Sequence, residues 1–258
     1  MATLFIDLGN SRTKFAIKKR KNLDILQTVG NEIWQDAEQV EQLFDGFSAS
    51  IKAIYIASVA SKALESKLNA HLMTYFHLIP TYLQVQQSCA GITTDYHPFY
   101  QLGVDRWLSV LGAHSLYESN LTVIDLGTAI TTDTLVDQVH LGGFITPGLK
   151  LQQQAILEHT GISLAMPIEM PATQQSEEEK QPFFSTNTAS AILGGTHLMT
   201  VAYLNHLMTE ILHHYQPSPH LFVLTGGDAE QIEPMLQYET EYEENLVFVG
   251  MDFLIKSL

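Results

Sequence analysis

Residues 4–17 read LFIDLGNSRTKFAI, in which an apolar run stops at Asp7 and resumes at Phe15 after a polar turn that contains Gly9. The two apolar runs predict the strands of a β-hairpin. A glycine in the turn lets the backbone approach an anion closely because it has no Cβ. The polar residues that follow supply donors, and the carboxylate of Asp7 could hold a hydrated Mg²⁺ beside a phosphate. The hairpin is therefore a candidate phosphate-binding segment, although an ordinary hairpin with a polar tip has the same pattern.

A second stretch, LTVIDLGTAITTDTL at 121–135, repeats this plan with Asp125 at the end of its first strand. We interpret Asp7 and Asp125 as equivalent positions of an internal duplication, which predicts two related lobes. Paired hairpins of this kind resemble those of the acetate kinase, sugar kinase, Hsp70 and actin superfamily. The resemblance implies an α/β fold with mixed sheets in two ribonuclease H-like lobes, residues 1–118 and 119–258, and an ATP cleft between them (an actin-like ATPase fold).

The composition argues against several classes of protein. The chain has 258 residues and 45% hydrophobic content, enough for two lobes of about 130 residues with a core each. The 13 Lys and Arg against 28 Asp and Glu give a net charge of −15, which argues against a nucleic-acid surface. No apolar run is long enough to predict a membrane span. The single cysteine, Cys89, permits no internal disulfide, and the start of the chain shows no targeting signal, so we expect a cytoplasmic protein.

Apolar spacing predicts the regular elements along the chain. After the hairpin and a third strand, a helix, a strand and a helix complete a β-β-β-α-β-α lobe, which suits a ribonuclease H-like fold. The acidic stretch 173–182 is predicted to be a solvated loop, and Gly194 and Gly195 suggest a helix packed closely on a partner element. The predicted helices lie at 36–46, 60–74, 107–114, 149–159 and 188–214, and the predicted strands at 51–59, 78–85 and 220–225.

The sequence GVDR at 103–106 brings Asp105 and Arg106 together just before a predicted helix. An aspartate in that position can be a helix N-cap, which contributes about 1 kcal/mol to stability. The pair also lies within an irregular stretch, residues 86–106, that is rich in hydroxyl and aromatic groups, and loops of this kind commonly carry sites. A site for the phosphoryl acceptor needs one group that takes the hydroxyl proton and one cation that holds the substrate. We favour this functional interpretation over the cap.

Signals for other chemistries are missing from the sequence. The 11 histidines form no HExxH motif and no Cys/His grouping with metal-ligand spacing. Cys89 has no evident histidine partner and Ser11 lacks a GxSxG context, which argues against a covalent nucleophile. A Walker A sequence is absent as well. The glycine turn in LTGGDA at 224–229 follows a predicted strand, so it can be a nucleotide contact or an ordinary tight turn.

Several motifs together are similar to those of the type III pantothenate kinases, which phosphorylate the 4′-hydroxyl of pantothenate with ATP in the first step of coenzyme A biosynthesis. The resemblance runs from residue 4 to about 229, and DLGNSRTK with LGVDRW is its most specific part. The motifs are DLGNSRTK at 7–14, Tyr96 nine residues before Asp105, LGVDRW at 102–107, DLGTA at 125–129, GGFITPG at 142–148, NTASAILGG at 187–195 and LTGGDA at 224–229.

The resemblance implies a role for each matching residue. Asp105 is the expected general base, and Asp125 is the expected ligand of a monovalent cation, K⁺ or NH₄⁺, in addition to the Mg²⁺ that accompanies ATP. The implied partners are ATP, pantothenate and a second copy of the chain in a homodimer, with no nucleic acid and no membrane. The implied ATP-binding residues are Asp7, Leu8, Gly9, Asn10, Ser11, Arg12, Thr13, Lys14 and Thr128, and the implied substrate-binding residues are Tyr96, Gly103, Val104, Asp105, Arg106 and Thr188.

Two alternatives stay open at this stage. A sugar kinase of the same superfamily would share both hairpins, but sugar kinases are usually longer and lack the LGVDRW loop. A non-enzymatic regulator of transcription that keeps the fold is the second alternative. Loss of Asp105 or of the DLGNSRTK segment would be its mark, and both are intact here.

Overall fold

The computed structural model describes residues 2–20, 22–47, 50–162 and 184–257. By their contacts the residues form two compact units. The first unit comprises residues 1–123, 133–143 and 245–258, and the second comprises residues 124–132 and 144–244. The domain boundary that we placed at 118/119 stays a prediction. The acidic stretch 173–182, for which we predicted a solvated loop, lies outside the described residues.

The described strands occur singly or in runs of three, with helices between them, and the described elements also include 3-10 helices at Asn31–Gln35, Phe99–Gln101 and Glu233–Met235. In chain order, the elements are β1 (Ala2–Leu8), β2 (Arg12–Lys19), β3 (Asn22–Gly30), α1 (Ala37–Asp45), β4 (Ile51–Ser58), α2 (Lys62–Phe76), β5 (Thr81–Tyr82), β6 (Ser88–Cys89), β7 (Ile92–Thr94), α3 (Val104–Tyr117), β8 (Leu121–Leu126), β9 (Ala129–Val136), β10 (Val139–Pro147), α4 (Leu149–His159), α5 (Thr188–Tyr215), β11 (Leu221–Thr225), α6 (Ala229–Ile232), β12 (Glu241–Tyr242) and α7 (Leu246–Lys256).

The first sheet has the strand order β3-β2-β1-β4-β5. Strands β1, β2 and β3 are antiparallel neighbours, whereas β1, β4 and β5 are parallel, so the sheet is mixed as predicted. The hairpin at residues 4–17 is confirmed, with its turn at residues 9–11. The strand that we predicted at 78–85 is shorter than expected, because only Thr81 and Tyr82 pair with β4.

One hydrophobic core covers this sheet. It takes Leu4 and Ile6 from β1 and Phe15 from β2, together with Trp34, and all four side chains are buried. Helix α1 adds Val40, Leu43 and Phe44 at the spacing of one helical face. Its N-cap, Asp36, accepts hydrogen bonds from two backbone N–H groups of the first turn. The helices predicted at 36–46 and 60–74 are confirmed within two residues at each end.

The second sheet has the strand order β12-β11-β8-β9-β10-β7-β6. Strands β10 and β7 pair in parallel, and so do β11 and β12. Within the second unit, α4 and α5 are joined by hydrogen bonds from Gln152 to Thr200 and from Gln153 to Thr196. Buried apolar residues of β11 and α5, including Phe222 and Leu204, form the core of this unit.

Helix α3 packs against α7 at two glycines within the first unit. A Cβ on Gly250 would overlap the carbonyl oxygen of Leu108, and a Cβ on Gly112 would overlap the carbonyl oxygen of Leu246. The backbones of the two helices are therefore in direct contact, and no larger residue fits at either position without a shift. The C-terminal helix thereby fixes the helix that carries Asp105.

The sequence-based start of α3 is also wrong. We expected the helix after the irregular loop to begin at Trp107, but α3 begins at Val104 and extends to Tyr117. The backbone N–H of Trp107 donates to the carbonyl oxygen of Gly103, so Gly103 is the N-cap and Asp105 lies in the first turn. The reason is that Val104, Asp105 and Arg106 are compatible with a helix, and the break in the apolar pattern hid its first turn.

The glycine pair of α5 has no close partner in the described parts of the chain. A Cβ on Gly195 would meet no atom within 4 Å, and one on Gly194 would meet only Ser185 Oγ, at 3.4 Å. The close packing that we expected at this pair is therefore not made by the described residues. Within the same ranges, no helix is long and apolar enough to span a membrane.

Candidate active site

The turn of the first hairpin presents polar groups to solvent. The backbone N–H of Gly9 donates to the carbonyl oxygen of Arg12 at 3.0 Å and closes the turn. A Cβ on Gly9 would lie 3.2 Å from that same oxygen, a tight approach that explains the glycine. The side chains of Asn10, Ser11 and Arg12 are exposed, as expected of residues that bind phosphate.

Asn31 fixes this turn from the side. Its Nδ2 donates to the carbonyl oxygens of Gly9, at 2.9 Å, and Asn10, at 3.0 Å. Its backbone N–H donates to the carbonyl oxygen of Ser11 at 3.1 Å, and its Oδ1 accepts from the hydroxyl of Thr13 at 2.7 Å. Three consecutive carbonyl groups of the turn are therefore occupied by one residue. The turn is held in one conformation before any ligand binds.

The other predicted ATP-binding residues differ in their exposure. Leu8 and Thr13 are fully buried, and the Thr13 hydroxyl also accepts a hydrogen bond from Trp34 Nε1 at 3.1 Å. Their side chains thus belong to the core beneath the turn. Asp7 and Lys14 are partly buried and face each other across the β1–β2 pair. Contacts of these residues with ATP stay a prediction.

Asp105 lies in the first turn of α3 with its carboxylate close to the backbone. Its Oδ1 accepts a hydrogen bond from the backbone N–H of Arg106 at 2.8 Å. A Cβ on Gly103 would lie 2.5 Å from that oxygen, so the absence of a side chain at Gly103 makes room for the carboxylate. Val104, between them, is buried and anchors the turn. The conformation of Asp105 is therefore determined by its immediate neighbours.

Burial raises the pKa of Asp105 above its ordinary value. The backbone N–H and the guanidinium of Arg106 oppose this shift because they stabilise the carboxylate, and the negative charge of Asp133 adds to it. A carboxyl group with a raised pKa is a stronger base once it is ionised. This property suits a group that takes a proton from a hydroxyl.

Arg106 forms a buried ion pair with Asp133 of β9. Its Nε donates to Oδ2 at 2.8 Å and its Nη2 donates to Oδ1 at 2.7 Å, a bidentate arrangement. The guanidinium carbon lies 5.6 Å from the centre of the Tyr96 ring. The structure therefore brings together Tyr96, Asp105 and Arg106, three of the residues predicted to bind the substrate.

Asp125 and Thr128 lie at the hairpin formed by β8 and β9, in the second unit. Thr128 is exposed in the turn, and its carbonyl oxygen accepts a hydrogen bond from the backbone N–H of Gly148 at 3.0 Å. Gly226 has a φ of +95°, and a Cβ there would lie 2.5 Å from Asp125 Oδ1. The glycine turn of LTGGDA therefore lies against this hairpin, which accounts for Gly226 without any ligand.

The remaining predicted site residue, Thr188, is the first residue of α5 and is exposed. It belongs to the second unit, together with Asp125 and Thr128. Across the described ranges, no group of three or more His, Cys, Asp or Glu side chains is arranged to hold a metal ion.

Sequence reasoning missed three residues of this region. Asn31 follows Gly30 at the end of a strand and gave no signal of its own. Asp133 could have been noticed, because an acidic residue within the apolar and threonine-rich strand AITTDTLV is rarely buried without a partner. His140, whose Nε2 lies 2.8 Å from Asp133 Oδ1, becomes recognisable only when the strands are paired.

Two mixed sheets, each with an Asp-Gly hairpin, define a class of protein, and solved structures agree with it. A conserved protein from Campylobacter jejuni, described as a Baf family transcriptional activator, has a TM-score of 0.57 and 23% identity and covers 98% of this chain and 97% of its own. The activator of 2-hydroxyisocaproyl-CoA dehydratase from Clostridium difficile, solved with bound ADPNP, has a TM-score of 0.53 and 14% identity, with 100% and 94% covered. These likenesses show the actin-like ATPase fold alone.

The family follows from sequence. The family model for type III pantothenate kinase matches residues 3–210. A type III pantothenate kinase from Hydrogenovibrio crunogenus is 35% identical over 257 residues, which covers 99% of each chain. This chain belongs to the type III pantothenate kinase family, as the motifs predicted.

Proposed function

We propose that this chain transfers the γ-phosphoryl group of ATP to the 4′-hydroxyl of pantothenate, with Asp105 as the general base. The observation that carries the assignment of the base is the first turn of α3. There the partly buried carboxylate of Asp105 adjoins Arg106, whose guanidinium is held by Asp133. The carboxylate takes the hydroxyl proton, and the guanidinium and the Tyr96 ring hold the substrate.

The mechanism follows from the needs of phosphoryl transfer. A loose transition state depends mainly on positioning and on neutralisation of charge. We assign the polyphosphate to the exposed turn of the first hairpin, where Asn10, Ser11 and Arg12 offer donors. Asp7, at the end of β1, is the carboxylate that we assign to the Mg²⁺ of the nucleotide, an ion that supplies positive charge to the phosphate oxygens. Asp105 orients the hydroxyl and accepts its proton as the bond to phosphorus forms.

We assign Asp125 and Thr128 of the second hairpin to a monovalent cation and to ATP, respectively. Asp125 is flanked by two glycines: a Cβ on Gly226 would lie 2.5 Å from its Oδ1, and a Cβ on Gly127 would lie 3.3 Å from it. The two glycines leave room beside the carboxylate, and a carboxylate is a hard oxygen ligand, which suits K⁺ or NH₄⁺. Replacing K⁺ with a large organic cation at constant Mg²⁺ should suppress turnover. Equal rates in the two buffers would contradict the role given to Asp125.

We also assign a homodimer that is formed through the exposed apolar face of α5. Leu198 is 62% exposed and Met199 is 57% exposed, next to the open glycine pair. Thr188 begins the same helix, so a partner on this face would bring Thr188 towards a substrate site. Leu198→Glu should give a monomer of lower activity in light scattering and turnover assays. The matched control is Met73→Glu, on the exposed part of α2, which should stay dimeric. A fully active monomer would contradict the assignment.

The test of the reaction itself is an assay that couples ADP release to a visible signal, run with pantothenate and with a panel of sugars. We expect ADP release with pantothenate alone among these acceptors. Turnover with a sugar and none with pantothenate would favour the sugar kinase alternative. The absence of turnover with every acceptor, in a folded protein that binds ATP, would favour the regulatory alternative. A cytoplasmic location stays a prediction.

A further inference from the structure

A continuous chain of hydrogen bonds connects four elements of the first unit behind Arg106. Thr94 Oγ1 of β7 lies 2.8 Å from His140 Nδ1 of β10. His140 Nε2 lies 2.8 Å from Asp133 Oδ1 of β9, and Asp133 binds Arg106 of α3 with both carboxylate oxygens. Thr94 Oγ1 also accepts the backbone N–H of Tyr96 at 3.1 Å. We call these five residues the Arg106 network.

The direction of the hydrogen bonds around Asp133 is determined by chemistry. Burial by itself raises the pKa of Asp133, but the hydrogen bonds from His140 and Arg106 and the charge of Arg106 outweigh burial and lower it. Asp133 is therefore an ionised carboxylate, which can only accept. His140 must then carry a hydrogen on Nε2, and Arg106 donates through Nε and Nη2. Oδ1 accepts two of these hydrogen bonds and Oδ2 accepts the third.

The network also fixes the charge and the orientation of Arg106. Asp133 is 2% exposed and Arg106 is 7% exposed, so neither charge is screened by solvent. Burial lowers the pKa of Arg106, but the hydrogen bond and the charge of Asp133 and a hydrogen bond with Tyr96 raise it above its ordinary value. A guanidinium has five N–H donors, of which Asp133 occupies two. Its plane is set by the bidentate pair, so the remaining donors have fixed directions.

The geometry points to Asp133 as a positioning residue for the phosphoryl acceptor. Asp133 is held by His140, which is held in turn by Thr94, and it orients the guanidinium of Arg106 so that the remaining N–H groups face the substrate beside Tyr96. This inference rests on the proposed function of the chain. Tyr96 is coupled to the same network twice, because its backbone is held by Thr94 and its ring stacks on His140 with a 9° interplanar angle at 6.5 Å. The orientation of both substrate-binding side chains thus depends on buried residues behind them.

The decisive variant is Asp133→Asn, which keeps the size of the side chain but replaces one acceptor oxygen with an NH₂ group that faces donors. A displacement of about 1 Å in a positioned group can cost about 100-fold in rate. We therefore expect kcat/KM for pantothenate to fall about 100-fold, mainly through KM, with KM for ATP unchanged. The matched control is Thr134→Val on the neighbouring residue of β9, which removes the hydrogen bond between Thr134 and Thr122. It should leave both KM values unchanged.

Two substitutions of His140 keep the test decisive if Asp133→Asn does not fold. In His140→Gln an amide N–H can still donate to Asp133, whereas His140→Leu offers no donor. The glutamine variant should keep a KM for pantothenate within about threefold of the wild type, and the leucine variant should raise it about tenfold or more. Equal effects of the two variants, or an equal rise in KM for ATP, would overturn the proposal.

A second measurement does not depend on activity. The Arg106 Nε–H should be protected from exchange with solvent in NMR spectra of the wild type and His140→Gln, and should lose protection in His140→Leu. Rapid exchange in the wild type would overturn the positioning role even in an active enzyme. A wild-type protein that shows protection but transfers no phosphate to pantothenate would instead contradict the proposed function.

Discussion

The turn of the first hairpin and the Arg106 network both hold hydrogen-bond donors in place, but they do so by different means. The turn is exposed and is fixed by a neutral side chain, Asn31, that lies about twenty residues further along the chain. The network is charged, and four of its five members are buried residues from β7, α3, β9 and β10. Removing a neutral hydrogen bond at the surface costs little, whereas leaving one buried charge without its partner costs several kcal/mol. Substitutions in the buried region should therefore have the larger effects.

The largest effect is expected at Asp105. Asp105→Asn keeps the shape of the side chain and removes the base, and general-base catalysis typically contributes about 100- to 10,000-fold. We expect kcat to fall by that factor, with ATP affinity nearly unchanged because the predicted ATP site does not include this residue. Steady-state kinetics and direct titration with ATP measure the two quantities.

Stability separates catalysis from a structural role in the same variant. The pKa of Asp105 is raised in the folded chain, so the ionised carboxylate opposes folding once the pH exceeds the folded-state pKa. Asparagine carries no such charge. The melting temperature of Asp105→Asn at neutral pH should therefore equal or exceed that of the wild type. Normal turnover, or a clear loss of stability together with lost activity, would contradict the assignment of the base.

The next prediction tests how much the packing of α7 on α3 contributes to the stability of the buried region. Gly250→Ala places a Cβ on the carbonyl oxygen of Leu108, and overpacking of this kind costs about 1–3 kcal/mol. We expect a lower free energy of unfolding in denaturant titrations. Gly161→Ala is the matched control, because a Cβ there meets no atom within 4 Å. Equal stability of the two variants would mean that α3 and α7 separate without cost.

The two regions also differ in how far the sequence predicts them. The hairpin could be predicted from residues 4–17 because its strands, glycine and donors are contiguous, and the helices at 149–159 and 188–214 followed from apolar spacing. Asp133 and His140 could not be assigned, because their role depends on strands that pair only in the folded chain. The first turn of α3 was missed for a related reason: Asp105 and Arg106 are polar residues that are partly or fully buried, so apolar periodicity did not count them as helix.

The pH dependence of kcat/KM, which also involves Asp105, should show a smaller effect. The raised pKa of Asp105 means that its carboxylate is protonated, and lost as a base, at a higher pH than an ordinary aspartate. Below that pKa, kcat/KM for pantothenate should fall by up to about tenfold per pH unit. The control is the residual activity of Asp105→Asn. This variant has no titrating carboxyl group in place of Asp105, so its pH profile should lack this fall at low pH, the acid limb. An identical limb in both proteins would assign the titration to another group.

The smallest effect is expected at Asn31. Asn31→Leu removes the side-chain hydrogen bonds to Gly9, Asn10 and Thr13 but keeps the backbone N–H that binds Ser11. Each such bond contributes about 1 kcal/mol net, and water can replace part of it at an exposed turn. We therefore expect KM for ATP to rise about fivefold while KM for pantothenate stays the same.

The control for Asn31 is Asn69→Leu on α2. This substitution removes the acceptor of the Tyr82 hydroxyl of β5 and should change neither KM. The two regions are then distinguished by opposite results: Asn31→Leu should affect ATP alone, and Asp133→Asn should affect pantothenate alone. A rise in both KM values in either variant would mean that the turn and the Arg106 network do not act separately. The exposed neutral side chain of Asn31 and the buried charged residues of the Arg106 network would then not each support a different substrate.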